Sequence, residues 1–301
     1  MPKSPTWLLE HRRDVHSQAG EDGVIEAILE RLPVRDRWCV EFGAWDGRHC
    51  SNTRNLIDAH GYSAVLIEGD PAKARALRKA LGGNTEIVTL ERYVGFAGED
   101  RLDALLAGTG APRDFDLLSI DIDGNDHAVW EAVVDYQPKV VCIEFNPTIP
   151  LPVRYVQPAD PKVSRGSSLA AIVELGSRKG YELVAVTMSN AFFVRAERLP
   201  LFDLESNDPA RLWTDQRFVT HLFSGYDGTL FIEGFGGLPW HGVDFHASRL
   251  QPLPRALRHP SAGYNAFRRA LFFVWLLVRE PRTLLRKLRK LRKLRKRSRQ
   301  H

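Results

Sequence analysis

Cysteine and long apolar runs are what this chain has least of. Its three cysteines, Cys39, Cys50 and Cys142, form no Cys-x-x-Cys pair. A disulfide scaffold is thereby excluded, and a reducing, cytoplasmic setting is expected. The opening Met-Pro-Lys-Ser-Pro-Thr-Trp has no apolar stretch of the length of a secretory signal, so export is not expected. Ala270-Leu-Phe-Phe-Val-Trp-Leu-Leu-Val278 is nine apolar residues, against the ~20 that a helix needs to span a bilayer. With 44% apolar and 26% charged residues, the chain is neither disordered nor a multi-span membrane protein.

The net charge of +5 is unevenly spread. Residues 279–301 hold twelve Lys or Arg and one acid, Glu280, which is +11, so residues 1–278 carry −6. The body is mildly acidic and the tail strongly basic.

What is present is an alternation of apolar runs and helical patterns from residue 17 to about 195, the rhythm of a parallel sheet wound with helices on both faces. Val24, Ile25, Ile28 and Leu29 share one stripe of an opening helix over 21–32. Strands are expected over 38–42, 64–68, 85–90, 115–122 and 140–145. Helices are expected over 51–59, 71–81 (stopped by Gly82-Gly83), 101–106, 126–134 and 168–179. Strands 181–187 and 191–194, joined by Ser189-Asn190, form an antiparallel hairpin. The fold class is therefore α/β: a Rossmann-like, mostly parallel sheet of seven strands with an antiparallel terminal hairpin, the arrangement of a methyltransferase sheet. Residues 1–245 read as one domain, with a core over 15–195 and an aromatic-rich extension over 196–245 that resists assignment. A linker follows over 246–265, then a basic amphipathic helical tail over 266–301. The Pro-rich stretch 147–164 is too long for an ordinary connection and is the expected place of substrate recognition.

The chemistry-bearing residues gather where strands end. Glu41, Gly43 and Gly47 give acid-x-Gly-x-x-x-Gly after the first strand, and glycine there lets backbone approach a ligand. The pattern resembles the first motif of class I S-adenosylmethionine (SAM) methyltransferases. It is not the dinucleotide fingerprint, whose second glycine would fall on Trp45. Glu68 closes the second strand, where a carboxylate can accept both hydroxyls of a ribose; Asp70 is the better cap for the helix at Pro71. Asp121, Asp123 and Asp126 crowd the end of the fourth strand, and Glu144 and Asn146 the end of the fifth. Such an oxygen set suits magnesium, manganese or calcium, while Asp126 also reads as a helix cap. His127 is the nearest candidate base and His49 the next. Ser17, Gln18, Ser51 and Asn52 either contact cofactor or substrate or cap the helices that follow them.

Together, Ser17-Gln-Ala-Gly-Glu-Asp22, Val-Glu-Phe-Gly-Ala, Ser51-Asn-Thr53, Ile-Glu-Gly-Asp, Ile-Asp-Ile-Asp-Gly-Asn-Asp and Ile-Glu-Phe-Asn resemble the FkbM-type methyltransferases and their bacterial relatives over about residues 15–195. The resemblance implies SAM as cofactor and O-methylation of a sugar or polyketide hydroxyl. By position, Glu41, Gly43 and Gly47 would line the SAM site, Glu68 would hold its ribose, and Asp121 would sit beside the reacting centre. The acidic loop is richer in aspartate than the family's fourth motif.

The tail repeats a leucine every three residues with paired cations between, giving apolar surface bordered by positive charge. A helix of that kind lies on anionic lipid, each Lys or Arg near the surface adding ~1 kcal/mol. The expected partner is thus an anionic membrane surface at a cytoplasmic leaflet, reached through residues 266–301; Pro281 should break the tail in two. Nucleic acid is the less favoured partner, since the acidic body carries no nucleic-acid motif. The leading expectation is a SAM-dependent O-methyltransferase acting there on a glycan or glycolipid. Its alternatives are a non-catalytic scaffold with this fold and a divalent-metal enzyme built on Asp121, Asp123 and Asp126.

Overall fold

The central strands carry apolar side chains on both faces, so both faces have to be covered. The structure, a computed structural model, describes residues 2–81 and 83–297. Gly82 of the expected helix stop, the side chains from 291 onward and residues 298–301 of the tail lie outside the described residues. The chain divides into two compact units after Val219.

The first unit runs α1 (Glu21–Leu29), β1 (Trp38–Phe42), α2 (Arg54–His60), β2 (Ser63–Glu68), α3 (Pro71–Leu81), β3 (Ile87–Glu91), α4 (Leu102–Leu106), β4 (Leu117–Ile120), α5 (Asp126–Ala132), β5 (Val140–Glu144), α6 (Leu169–Arg178), β6 (Tyr181–Val186), β7 (Asn190–Arg195) and the single turn α7 (Pro209–Leu212). The seven strands form one sheet in the order β3-β2-β1-β4-β5-β7-β6. β7 is antiparallel to both β5 and β6, and the pairings among β1 to β5 are parallel.

Period-two alternation sorts the strand residues into two cores. Val40, Phe42, Val65, Ile67, Leu118, Ile120, Val141 and Ile143 join Leu102, Val129, Trp130 and Ile172 on one face. Cys39, Ala64, Leu66, Leu117, Val140 and Cys142 join Val24, Ile25, Ile28, Leu56 and Leu77 on the other. The aromatic segment after β7 is partly explained: Trp213 is buried and meets Phe145 edge to face, with ring centroids 5.3 Å apart.

Three expected elements come out shorter, two of them for a visible reason. α2 starts at Arg54 rather than Ser51, because Ser51, Asn52 and Thr53 donate to Glu41 instead of continuing a helix backwards. β4 ends at Ile120 because the chain turns at once, with Asp123 at φ 55°. α1 ends at Leu29, three residues before the expected stop.

The amino edge of the sheet is closed by ions. Lys139, 2% exposed, donates to Asp116 Oδ1 at 2.7 Å and to Asp36 Oδ2 at 2.5 Å. Asp116 also accepts from the amides of Asp36 and Arg37 and from the Tyr62 hydroxyl, each at 3.0 Å. The starts of four strands, β1, β2, β4 and β5, are thus tied through one carboxylate.

The second unit contains a hairpin of β8 (Thr220–Ser224) and β9 (Leu230–Gly234) and a two-residue pair, β10 (Gly237–Leu238) and β11 (Val243–Asp244). Two helices follow, α8 (Ala266–Arg279) and α9 (Pro281–Arg297), and the break between them falls where Pro281 predicts it. Among the described residues no helix is long and apolar enough to cross a membrane.

Removing Lys139 leaves the Asp116 carboxylate buried and uncompensated, so Lys139→Ala is expected to cost about 3–5 kcal/mol. Asp36→Ala, which removes the partly exposed partner, should cost about 1 kcal/mol or less. Urea denaturation of the two variants checks this; equal losses would mean that the buried carboxylate is not the centre of the clasp.

Candidate functional site

Strand order reverses on either side of β1, and in open α/β sheets the crevice at such a point, outside the carboxyl ends of the strands, is where ligands sit. Gly43 makes the turn that follows β1. Its φ is 77°, and a Cβ there would lie 1.8 Å from the carbonyl oxygen of Asp121, so only glycine fits. Its amide and that of Ala44 both donate to Ile67 O, at 3.1 and 3.2 Å, which ties the β1 turn to β2. Gly47, at φ 69°, closes the turn against Leu77. Trp45, between the glycines, is about half exposed with Lys73 Nζ 4.8 Å from its ring centroid.

Glu41 faces inward, not toward this crevice. It sits on the strand face shared with Cys39, and its carboxylate accepts from Ser51 Oγ, Thr53 Oγ1 and the Asn52 amide, all at 2.7 Å. Burial pushes its carboxyl up in pKa, opposed by those three donors. Asn52 is equally internal: its Nδ2 donates to Ser119 Oγ at 3.1 Å and faces Cys142 Sγ at 3.6 Å. The structure therefore gives Glu41 and Asn52 to the scaffold beneath the site.

Glu68 is placed differently. Oε2 accepts from the Trp45 amide and Oε1 from the Asp70 amide, each at 2.8 Å, so the carboxylate is held between the β1 and β2 turns. Each oxygen keeps a second lone pair for another donor. Asp70 caps α3 as expected, accepting from the amides of Ala72 and Lys73, and those bonds lower its pKa. Beside Glu68, the Tyr93 ring lies so close on Gly69 that a Cβ there would be 2.2 Å from it, while most of the ring stays open to solvent.

At the ends of β4 and β5, Asp121, Asp123 and Glu144 come together, with one carboxylate oxygen of each within 4.8 Å of the others. Asp126 and Asn146, expected in the same ligand set, make other contacts as well. Asp126 folds back to accept from the amides of Ile122 and Gly124 at 2.9 Å, which shapes the acidic turn. Asn146 Nδ2 donates to Arg165 O at 2.7 Å, and its Oδ1 accepts from the amide and hydroxyl of Thr148. Burial, then the neighbouring carboxylates, drives the pKa values of Asp121 and Glu144 well up, and a hydrogen bond joins the pair. Asp126, also buried, is pushed up to about 6.

The remaining expected residues scatter. Ser17 Oγ donates to Asp14 Oδ1 and accepts from the Asp22 amide, both at 3.0 Å, while Asp22 Oδ2 accepts three successive amides, Val15, His16 and Ser17. Ser17 therefore builds the loop before α1. Gln18 is exposed and accepts from Cys50 Sγ at 3.5 Å. His127 is buried, and burial lowers its pKa; the charges acting on it most are Glu131, Arg178, Arg154 and Glu174, not the acidic cluster. Its expected role as base at the aspartates does not follow from this placement. His49 is paired with Asp46 at 2.6 Å on the surface.

Several residues here were not singled out in the sequence. Glu21, fully buried, accepts from Thr187 Oγ1 at 2.8 Å. Gln157 and Asn125 order the long loop: Gln157 Oε1 accepts from the amides of Arg165 and Gly166 at 2.7 Å, and Asn125 Nδ2 donates to Asp160 O at 3.1 Å. No pattern in the sequence of this polar, Pro-rich stretch marks Gln157 as buried. The loop thus packs on the acidic turn, and a Cβ on Gly124 would lie 2.8 Å from Ser164 Cα.

No protein-family model matches the chain, and neither does any curated protein. Among solved structures it is similar to the N-terminal domain of EvdMO1 in the presence of SAH and D-fucose, at 16% identity and a TM-score of 0.37, over 58% of this chain and 80% of that one. It is also similar to the glycopeptide N-methyltransferase MtfA complexed with SAM, at 16% identity and a TM-score of 0.36, over 60% of this chain and 94% of that one. A third is the CurJ carbon methyltransferase, at 9% identity and a TM-score of 0.40, over 58% of this chain and 52% of that one.

The raised carboxyl pKa values fix a sign. The native state binds more protons than the unfolded state between about pH 4 and about pH 6, so stability falls as pH rises through that window. Asp123→Asn removes one like charge and suits the left-handed backbone at that position. In chelator-treated buffer it should stabilise the protein at pH 7 by on the order of 1 kcal/mol, with the gain vanishing near pH 4. Thermal melts across pH test this, and a loss of stability at pH 7 would refute the assignment.

Proposed function

We propose that the chain is a SAM-dependent methyltransferase of FkbM type that transfers a methyl group to a hydroxyl of a glycan, glycolipid or similar acceptor at an anionic membrane surface. The observation that carries this reading is the sheet order β3-β2-β1-β4-β5-β7-β6 with β7 antiparallel to its neighbours. It brings the glycine turn, Glu68 and the acidic cluster to one edge at the reversal point.

The residues present fit the cofactor. Gly43 leaves the β1 turn without a side chain, the free lone pairs of Glu68 suit a ribose diol, and the open face of Tyr93 offers a flat apolar wall beside it. When bound, SAM supplies an electrophilic methyl on a sulfonium. The chain's part is to hold an acceptor oxygen in line, which alone can account for much of the acceleration, and to take its proton. Asp121 is the group for the second task, since burial and the neighbouring carboxylates raise its pKa and a hydrogen bond joins it to Glu144, which makes it a stronger base than an ordinary aspartate. The 147–165 segment, packed on the acidic turn, serves to close over the acceptor and exclude water.

A second reading rests on the closeness of Asp121, Asp123 and Glu144: these three oxygens would hold magnesium or manganese, in support of the same reaction or of another. Under it, magnesium raises the melting temperature of the wild type and leaves Asp123→Asn unmoved. A wild type indifferent to both metals sinks it.

For the main reading, calorimetry with SAM should show saturable binding, weakened at least about tenfold in Glu68→Ala, the equivalent of about 1.4 kcal/mol. Absence of SAM binding by the wild type would overturn it. Comparing lipid and glycan extracts with and without the protein, by mass spectrometry, for a difference of one methyl group identifies the acceptor.

A further inference from the structure

The second unit holds a cavity of about 480 Å³ that the proposed reaction does not use. Its lining combines two kinds of group. Arg269 on α8, Lys287 on α9 and His259 supply positive or proton-donating nitrogen, while Tyr226, Tyr264 and Phe272 supply aromatic wall. Among the described residues neither Arg269 nor Lys287 is ion-paired with a carboxylate. Lys287 Nζ instead lies 4.7 Å from the Phe272 ring centroid. The single acid in the lining, Asp227, is occupied: it accepts the amide and hydroxyl of Thr229 at 2.9 Å, and those bonds lower its pKa. Two cations without an ion-pair partner therefore face a cavity with apolar walls, against one carboxylate whose oxygens are already held by Thr229.

A ligand that satisfies both must carry an anion and a hydrocarbon portion together. The surroundings point the same way. Phe273, Val274, Leu277 and Val278 on α8 and Leu285 and Leu288 on α9 are exposed, where a nucleic-acid-binding arm would have no use for them. On α9, Arg282, Arg286, Arg289 and Lys290 line a separate groove of about 420 Å³ that offers diffuse positive charge to an anionic surface.

We infer that the cavity between the β8–β9 turn and the α8–α9 pair is a headgroup site for an anionic phospholipid, with Arg269 and Lys287 on a phosphate monoester and Tyr264 and Phe272 against its glycerol and first methylenes. This rests on the membrane part of the function proposed above and gives it a specific lipid class. The diffuse charge of the tail draws the protein to any anionic bilayer, and the cavity selects among them.

The test uses the full chain with phosphatidylcholine vesicles containing either phosphatidic acid or phosphatidylglycerol at matched surface charge. Wild type is expected to bind both, and phosphatidic acid at least about fivefold more tightly, close to the strength of one cation at the surface. The pair Arg269→Gln with Lys287→Gln should abolish that preference, whereas Arg282→Gln with Arg286→Gln, an equal loss of charge, should weaken binding to both vesicles and keep it. Calorimetry with soluble dihexanoyl phosphatidic acid should give saturable binding that only the first pair removes, with helix content by circular dichroism confirming that each variant folds. Equal binding to both vesicles, or equal effects of the two pairs, overturns the headgroup site and leaves membrane association standing. Saturable binding of the soluble lipid without binding to any vesicle keeps the site and overturns membrane association. Tight binding of duplex DNA with no response to the soluble lipid overturns the headgroup site in favour of a nucleic-acid arm.

Discussion

A carboxylate buried at the end of the central strand is the constraint on which the site is built. Glu41 lies in an otherwise apolar row, and an unpaired charge in that position would cost several kcal/mol. The chain meets the demand with three consecutive residues, Ser51, Asn52 and Thr53, whose donors reach Glu41 and therefore cannot begin a helix. The start of α2 and the position of Asn52 under Ser119 both follow from that one satisfaction. Above it, Glu68, also buried, is held by amides on two turns yet has acceptor capacity remaining.

Division of labour between two similar acids is what a linear reading misses. Glu41 and Glu68 both lie at strand ends close to glycine, and both read as ligand contacts; that Glu41 is satisfied from within depends on side-chain parity within β1 and on donors ten residues later. The sheet itself was far more legible, because apolar runs bounded by Pro and Gly declare buried strands, and the Ser189-Asn190 connection fixes the antiparallel pair. Element ends were less so. Asp123 in a left-handed conformation and the backward reach of Asp126 shorten β4, and neither is encoded in hydrophobic period.

The acidic centre shows the same pattern. Asp121, Asp123 and Glu144 converge because β4 and β5 are parallel neighbours, which spacing alone made expectable. Asp126, Asn146 and His127 each have a further partner nearby: amides of its own turn, the 147–165 loop, and the charges of α5, α6 and Arg154. Residues that organise the loop, such as Gln157, lie in a stretch whose irregular composition hides which side chains turn inward.

The close approach of Gly43 to the Asp121 carbonyl means that the glycine turn and the acidic turn of this edge are in direct backbone contact. Two turns packed that tightly have no independent freedom. A ligand that reshapes the β1 turn must shift the carbonyl of the first acidic residue, and a ligand gathered by the aspartates must in return alter the fit at the β1 turn. Any ligand that displaces one turn is thereby felt at the other, through one glycine.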